Sequence, residues 1–181
     1  MKITKVKKVT KGQRGFTLIE LLIAIVIAGL ITGGITFAIM QILTINTRAS
    51  NHMVAVRQVQ QAGKEVSKDT LQAQSVNASG TQGFPLILTW DEWGTNVTHT
   101  VVYDLVVPSN GVKELQRNHS VEGGNSTLTS VAQYIDADLT KTTCSPLGVL
   151  QSGDVLTFTV TATVGDQSET RVYEVEPRPG S

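Results

Sequence analysis

One cysteine, Cys144, is all that this 181-residue chain contains, so no disulfide can form within it. A structural thiol is the expected role, with pairing to another chain outside the cytoplasm as the alternative. The three histidines, His52, His99 and His119, show no HExxH-like spacing and read as solvated or interfacial. There is no Gly-rich phosphate loop, and no basic patch beyond the first fifteen residues. Nucleotide and nucleic-acid chemistry therefore have no footing. No catalytic constellation is visible, so the chain does not read as an enzyme, and no cofactor or metal is expected. Two further absences bear on structure. Proline is missing from Gln41 to Val76, and no charged residue occurs between Leu21 and Thr47.

What is present begins with a basic leader. Residues 1–15 carry Lys2, Lys5, Lys7, Lys8, Lys11 and Arg14 without a single acid. The neutral balance of the whole chain hides this split: the remainder holds nine basic residues against fifteen acidic ones, a net of about −6. A cationic flank beside a span marks the cytoplasmic side, because Lys and Arg resist translocation. The apolar segment from Phe16 to Met40 follows at once. About twenty apolar residues at ~1.5 Å rise cross a ~30 Å hydrocarbon core. A single pass through the cytoplasmic membrane is expected, with the leader inside and everything after Met40 outside. A secretory signal would have an apolar region of only ~7–15 residues. Thr36-Phe37-Ala38 is also a poor small-x-small cleavage site.

Glu20 is the one carboxylate near this span. Intramembrane ionisable groups are functional candidates by default. The local reading is a capping box, Thr17-Leu-Ile-Glu20, in which Glu20 closes the first turn and faces the positive end of the helix dipole. Capping does not explain why six cations stop at a glycine just before a phenylalanine.

The stretch Gly15-Phe-Thr-Leu-Ile-Glu20-Leu-Leu resembles the processing site of type IV prepilins and of the pseudopilins of type II secretion and competence systems. The resemblance covers the leader and first helix, about a third of the chain. It implies that a prepilin peptidase cuts between Gly15 and Phe16 and methylates the new amino group on Phe16. In that family the carboxylate matching Glu20 pairs with the N-terminal ammonium of a neighbouring subunit during assembly. Opposite charges attract strongly in a low-dielectric setting, where either alone is penalised, so such a pair selects register. Gly29-x-x-x-Gly33, followed by Gly34, lets helices approach closely in lipid. Glycine is also simply common in membrane helices, and both readings stand. The family often carries a proline deeper in this helix; none occurs here.

Beyond Met40, apolar residues recur at Ile42, Ile45, Met53, Val56, Val59, Val66 and Ala73, mostly three or four apart. That is one stripe of an amphipathic helix running to about Val76, with Arg48, Arg57, Lys64, Lys68 and Asp69 largely off it. Asn77-Ala-Ser-Gly80 supplies the stop. The rest reads as antiparallel β. Leu156, Phe158, Val160, Ala162 and Val164 alternate with threonines, Gly165-Asp166 turns, and Glu169 to Glu176 returns. Val97 to Val107 alternates likewise, and Pro108-Ser-Asn-Gly111 turns it into Val112 to Gln116. Pro85 to Trp90 is expected as an edge strand. Gly123 to Thr129 and Lys141 to Pro146 are expected as loops.

The expected fold is α+β, a pilin-like lollipop in which a long membrane-spanning helix lays its C-terminal half on an antiparallel meander sheet. Its parts are a leader over 1–15, a span over 16–40, an amphipathic extension over 41–78 and an extracytoplasmic β-rich domain over 84–181. The later pattern, Lys113-Glu-Leu-Gln-Arg117 and Leu156-Thr-Phe-Thr-Val with a closing Val175-Glu-Pro-Arg178, is similar to the J-type minor pseudopilins. Major pilins commonly staple a C-terminal loop with a disulfide, which a chain with one cysteine cannot do. Asp136-Ala-Asp138-Leu-Thr140 offers alternate oxygens but lacks the glycine and distal glutamate of a calcium loop. Trp90 and Trp93 flank a turn, as core cover or as contacts for a neighbour. The reading is a minor pilin or pseudopilin whose partners are prepilin peptidase, other pilin subunits and the bilayer, with no nucleic acid. A main fibre subunit and an anchored binding module or adhesin are the alternatives.

Overall fold

The computed structural model describes residues 15–178, apart from 96, 110, 152 and the side chain of Leu139. The leader cations Lys2 to Arg14 lie outside the described residues. One helix, α1, runs without a break from Leu18 to Gln72. The chain divides into two compact units, with the boundary inside α1 between Ile45 and Asn46.

In the first unit every described side chain is exposed. The apolar window of α1 has a mean hydropathy of 2.5 and buries nothing. Where lipid offers no hydrogen bonds, a helix is the form that satisfies its own backbone. Its hydroxyls comply as well. Thr32, Thr36 and Thr44 donate to the carbonyls of Ala28, Thr32 and Met40 at 2.8, 2.9 and 2.9 Å. The helix is long and apolar enough to cross a membrane.

In the second unit α1 turns one face inward through Ala55, Val59, Ala62, Gly63, Val66, Asp69 and Thr70. That face packs on antiparallel sheet. Strands β1 (Ser75–Ala78), β2 (Leu86–Asp91), β3 (Thr98–Val106), β4 (Glu114–Val121) and β5 (Thr127–Gln133) form a meander. A 3-10 turn (Leu139–Lys141) leads to β6 (Thr143–Ser145) and β7 (Gly148–Val149), and a long hairpin, β8 (Leu156–Val164) and β9 (Gln167–Val175), closes the chain. The first sheet has the order β5-β4-β3-β2-β1-β7, and the second β6-β8-β9. A bridge between Ile135 and Ala162 links them. Tyr103, Phe158, Leu86, Leu88, Leu115 and Leu156 fill the core with the helix face. Full burial of one such Leu or Phe stabilises by roughly 1.5–3 kcal/mol.

The α+β architecture, the long helix and the strands around 98–106, 156–164 and 167–175 agree with the sequence reading. Gly165, at φ 60°, supplies the left-handed residue of the tight β8–β9 turn. Several expectations need correction. The extension does not run to residue 78: α1 ends at Gln72 and Ser75–Ala78 is a strand. The amide of Ala73 still bonds back to Asp69, but that of Gln74 turns to the carbonyl of Thr89 at 2.8 Å. Pairing with β2 then buries Val76 and Ala78, which outweighs the continuing helical pattern. The β-rich part therefore begins before residue 84, and β2 lies inside its sheet rather than at an edge. Strand β5 takes up Thr127 to Thr129, and β6 occupies the expected loop at 141–146 by pairing with β8. Ile42, Ile45 and Met53 are exposed, and the buried stripe starts at Ala55.

Candidate functional site

The candidate site is the start of α1. Gly15 to Thr17 are non-helical and exposed, with Phe16 at 92 %. The Gly15–Phe16 peptide thus precedes the helix, in irregular, exposed backbone. The next residues are tied together. The carboxylate oxygen Oε2 of Glu20 accepts the amide N–H of Thr17 at 3.0 Å and its hydroxyl at 2.9 Å. The amide of Glu20 donates to Oγ1 of Thr17 at 3.4 Å. This is a reciprocal capping box that satisfies orphan donors of the first turn. Both bonds to the carboxylate fall on one oxygen, and Oε1 lies outside the box. The local reading of Glu20 is therefore realised, and a negative charge stands at the positive end of the helix.

Further along, Gly29, Gly33 and Gly34 face open space, with nothing beyond the helix's own nearby backbone within 4 Å of where a Cβ would stand. A second helix could approach there with its backbone close. Around them the large side chains of Leu30, Ile31, Ile35 and Phe37 are all more than half exposed.

The globular unit contains polar groupings that sequence reasoning missed. Asp69, expected off the helical stripe, is 2 % exposed. Its Oδ2 accepts Nε–H of Arg117 and the hydroxyl of Tyr103, each at 2.6 Å, and its Oδ1 accepts Nη2–H of Arg117 at 3.2 Å. Burial and the Asp69 carboxylate push the Tyr103 hydroxyl far above its ordinary range. The bond to Asp69 raises Arg117 as well, against the opposing effect of burial. The group fastens the helix to β3 and β4. Only the alternation Leu115-x-Arg117 hinted that Arg117 turns inward.

Two of the histidines, His99 and His119, expected as solvated or interfacial, come together. Nδ1 of His99 and Nε2 of His119 are 3.0 Å apart, and both rings lie nearly parallel to that of Trp90. Trp93, by contrast, is 91 % exposed and covers no core. Cys144 is buried, and burial pushes its thiol well above the ordinary range, as suits a structural residue. The oxygens of Asp136 and Asp138 serve Thr163, Lys141, Thr140 and the backbone of their own turn. Among the described residues no set of three His, Cys, Asp or Glu is placed to hold a metal ion.

Residues 10–36 match the family model for the prokaryotic N-terminal methylation motif. No curated protein and no solved structure matches the chain significantly. With the long apolar helix and the α+β fold, the motif supports a type IV pilin-like protein of the kind that prepilin peptidase cleaves and methylates. The fold and the motif point to a structural protein anchored in the membrane by its N-terminal helix.

Proposed function

We propose that this chain is a minor pilin or pseudopilin, cut between Gly15 and Phe16, methylated on Phe16 and assembled through α1. One observation carries the reading: an exposed Gly15–Phe16 junction stands directly before a Glu20-capped helix that buries nothing up to Ile45. Cleavage would free an ammonium group on Phe16. Glu20 would pair with that ammonium on a neighbouring subunit, while Gly29 and Gly33 let the two helices close. The leader would remain in the cytoplasm and the β-rich unit outside, before transfer into a pilus or pseudopilus. Among minor subunits the J-type pseudopilins are nearest in pattern, and the lone, buried Cys144 suits a subunit without the C-terminal staple.

The test is the intact mass of the protein recovered from its native membrane, beside a Glu20→Ala variant. The expected mass is that of Phe16 to Ser181 plus one methyl group, with Glu20→Ala absent from filaments. An uncleaved chain, or one cut near Ala38, would favour an anchored or secreted binding module instead.

A further inference from the structure

The pairing of His99 and His119 has a consequence unrelated to assembly through α1. His99 lies on β3 and His119 on β4, at diagonal positions where His99 faces Val121 and His119 faces Val101. Both are half-buried, as is Trp90 on β2. The two imidazole planes differ by only 16°, with centroids 5.3 Å apart and the nitrogens 3.0 Å apart. The rings therefore meet nearly edge to edge, nitrogen to nitrogen. Such a bond needs one N–H and one lone pair. Two neutral rings supply them. So does a pair carrying one extra proton, because that proton can sit on an outer nitrogen and strengthen the bond. A pair carrying two extra protons cannot: two N–H groups would face each other between two cations.

The surroundings act in the same direction. Arg117, two residues before His119 on β4, is a cation, and Asp69 of α1 is its partner. Tyr103 on β3 is a neutral donor to the same carboxylate. Trp90 on β2 has no charge. Burial first, then Arg117 and His99, holds His119 below the ordinary histidine range, with Asp69 opposing weakly.

We propose that His99 and His119 form an acid-released clasp, which ties β3 to β4 beside Trp90 until a second proton enters the pair. Free histidines titrate near ~6.5, so an opened pair takes up protons that the closed pair refuses. The sign follows. The clasp is fully stabilising above about pH 6.5 and is lost as the pH falls towards the lower value of the closed pair. With one proton excluded, linkage makes opening about tenfold more favourable per pH unit in that window.

The test uses the full chain in detergent micelles with 15N-labelled histidine rings, titrated from pH 8 to 4.5. Amide-exchange protection factors of β3 and β4 are followed in parallel. Free 15N-labelled histidine in the same buffer is the reference. The expected result is two separated ring titrations for the pair, the second below that of the free histidine. Protection near Thr98 to Val101 and His119 to Val121 should fall about tenfold per pH unit over the same range. His99→Gln, which cannot take up a proton, should fold at pH 8 and lose this acid dependence; His119→Gln checks the other side. Both rings titrating together with free histidine, or protection that ignores the second titration, overturns the clasp. So does an acid dependence that survives in both variants. If the variants do not fold, the wild-type titration alone decides.

Discussion

The ring of Tyr173 on β9 occupies the space that a Cβ on Gly63 of α1 would need, and its hydroxyl donates to the carbonyl of Val59 at 3.1 Å. A glycine inside a helix costs about 1 kcal/mol relative to alanine. Here that cost allows β9 to close on the helix, while Asp69 holds the other sheet through Arg117 and Tyr103. Propensity and packing thus make opposite predictions for one substitution. Gly63→Ala is expected to destabilise by about 1–3 kcal/mol, as overpacking does. Adding Tyr173→Ala should remove most of that penalty. Urea unfolding of the four members of the cycle decides, and a Gly63→Ala variant more stable than wild type would show that the ring simply moves aside.

The Asp69 group makes a second prediction. Arg117→Met leaves a buried carboxylate without its cation, a loss in the range of about 3–5 kcal/mol for such pairs. Tyr103→Phe removes one hydrogen bond to the same oxygen and should cost about 1–3 kcal/mol, since the carboxylate keeps Arg117. Chemical unfolding measured on both variants should rank them in that order. Equal losses would mean that Arg117, whose side chain is 19 % exposed, shares its charge with water rather than with Asp69.

These two groupings also mark where the sequence stops being readable. The capping box at Thr17 and Glu20 was legible because its members are three residues apart. Strands β3, β8 and β9 were legible through strict alternation and a two-residue turn. Asp69 was not, because its partners stand 34 and 48 positions away and a charge is ordinarily placed off a buried stripe. Gly63 carries no signal until Tyr173 is folded against it. Strand β1 continues the apolar spacing of the helix, and only its pairing with Leu86 to Thr89 makes it a strand. The histidine pair is two residues on separate strands that register alone brings together.

Acid should expose a further contact. The hydroxyl of Thr163, first, and then the amide of Asp138 and the ammonium of Lys141 hold the Asp136 carboxyl below the usual carboxylate range. A lowered folded value means stability that is present above the unfolded value of about 3.9 and is lost as the pH falls through the lower, folded one. Thr163→Val removes the leading cause. The variant is expected to be less stable than wild type at pH 7, with the gap narrowing below about pH 4. Thermal unfolding at pH 7 and pH 3 measures it. A gap unchanged between the two would show that Thr163 acts through packing or through its bond to Ser168, and not through its bond to Asp136.

Glu20 can serve as cap, as assembly charge, or as both, and two substitutions separate these roles. Glu20→Ala removes the carboxylate from Thr17 and the charge together. Glu20→Gln keeps an oxygen for the Thr17 amide and hydroxyl, since glutamine also closes a capping box, but it cannot pair with an ammonium group. If the charge on Glu20 selects its neighbour, both variants are cut after Gly15 and methylated, each giving its own mature mass, and neither enters filaments. If capping alone matters, Glu20→Gln enters filaments like wild type and only Glu20→Ala fails. Filament incorporation, measured beside intact mass, distinguishes the two. The expected outcome is loss in both, because Oε2 serves the cap while Oε1 stands outside it, leaving the carboxylate an oxygen to offer a neighbouring chain.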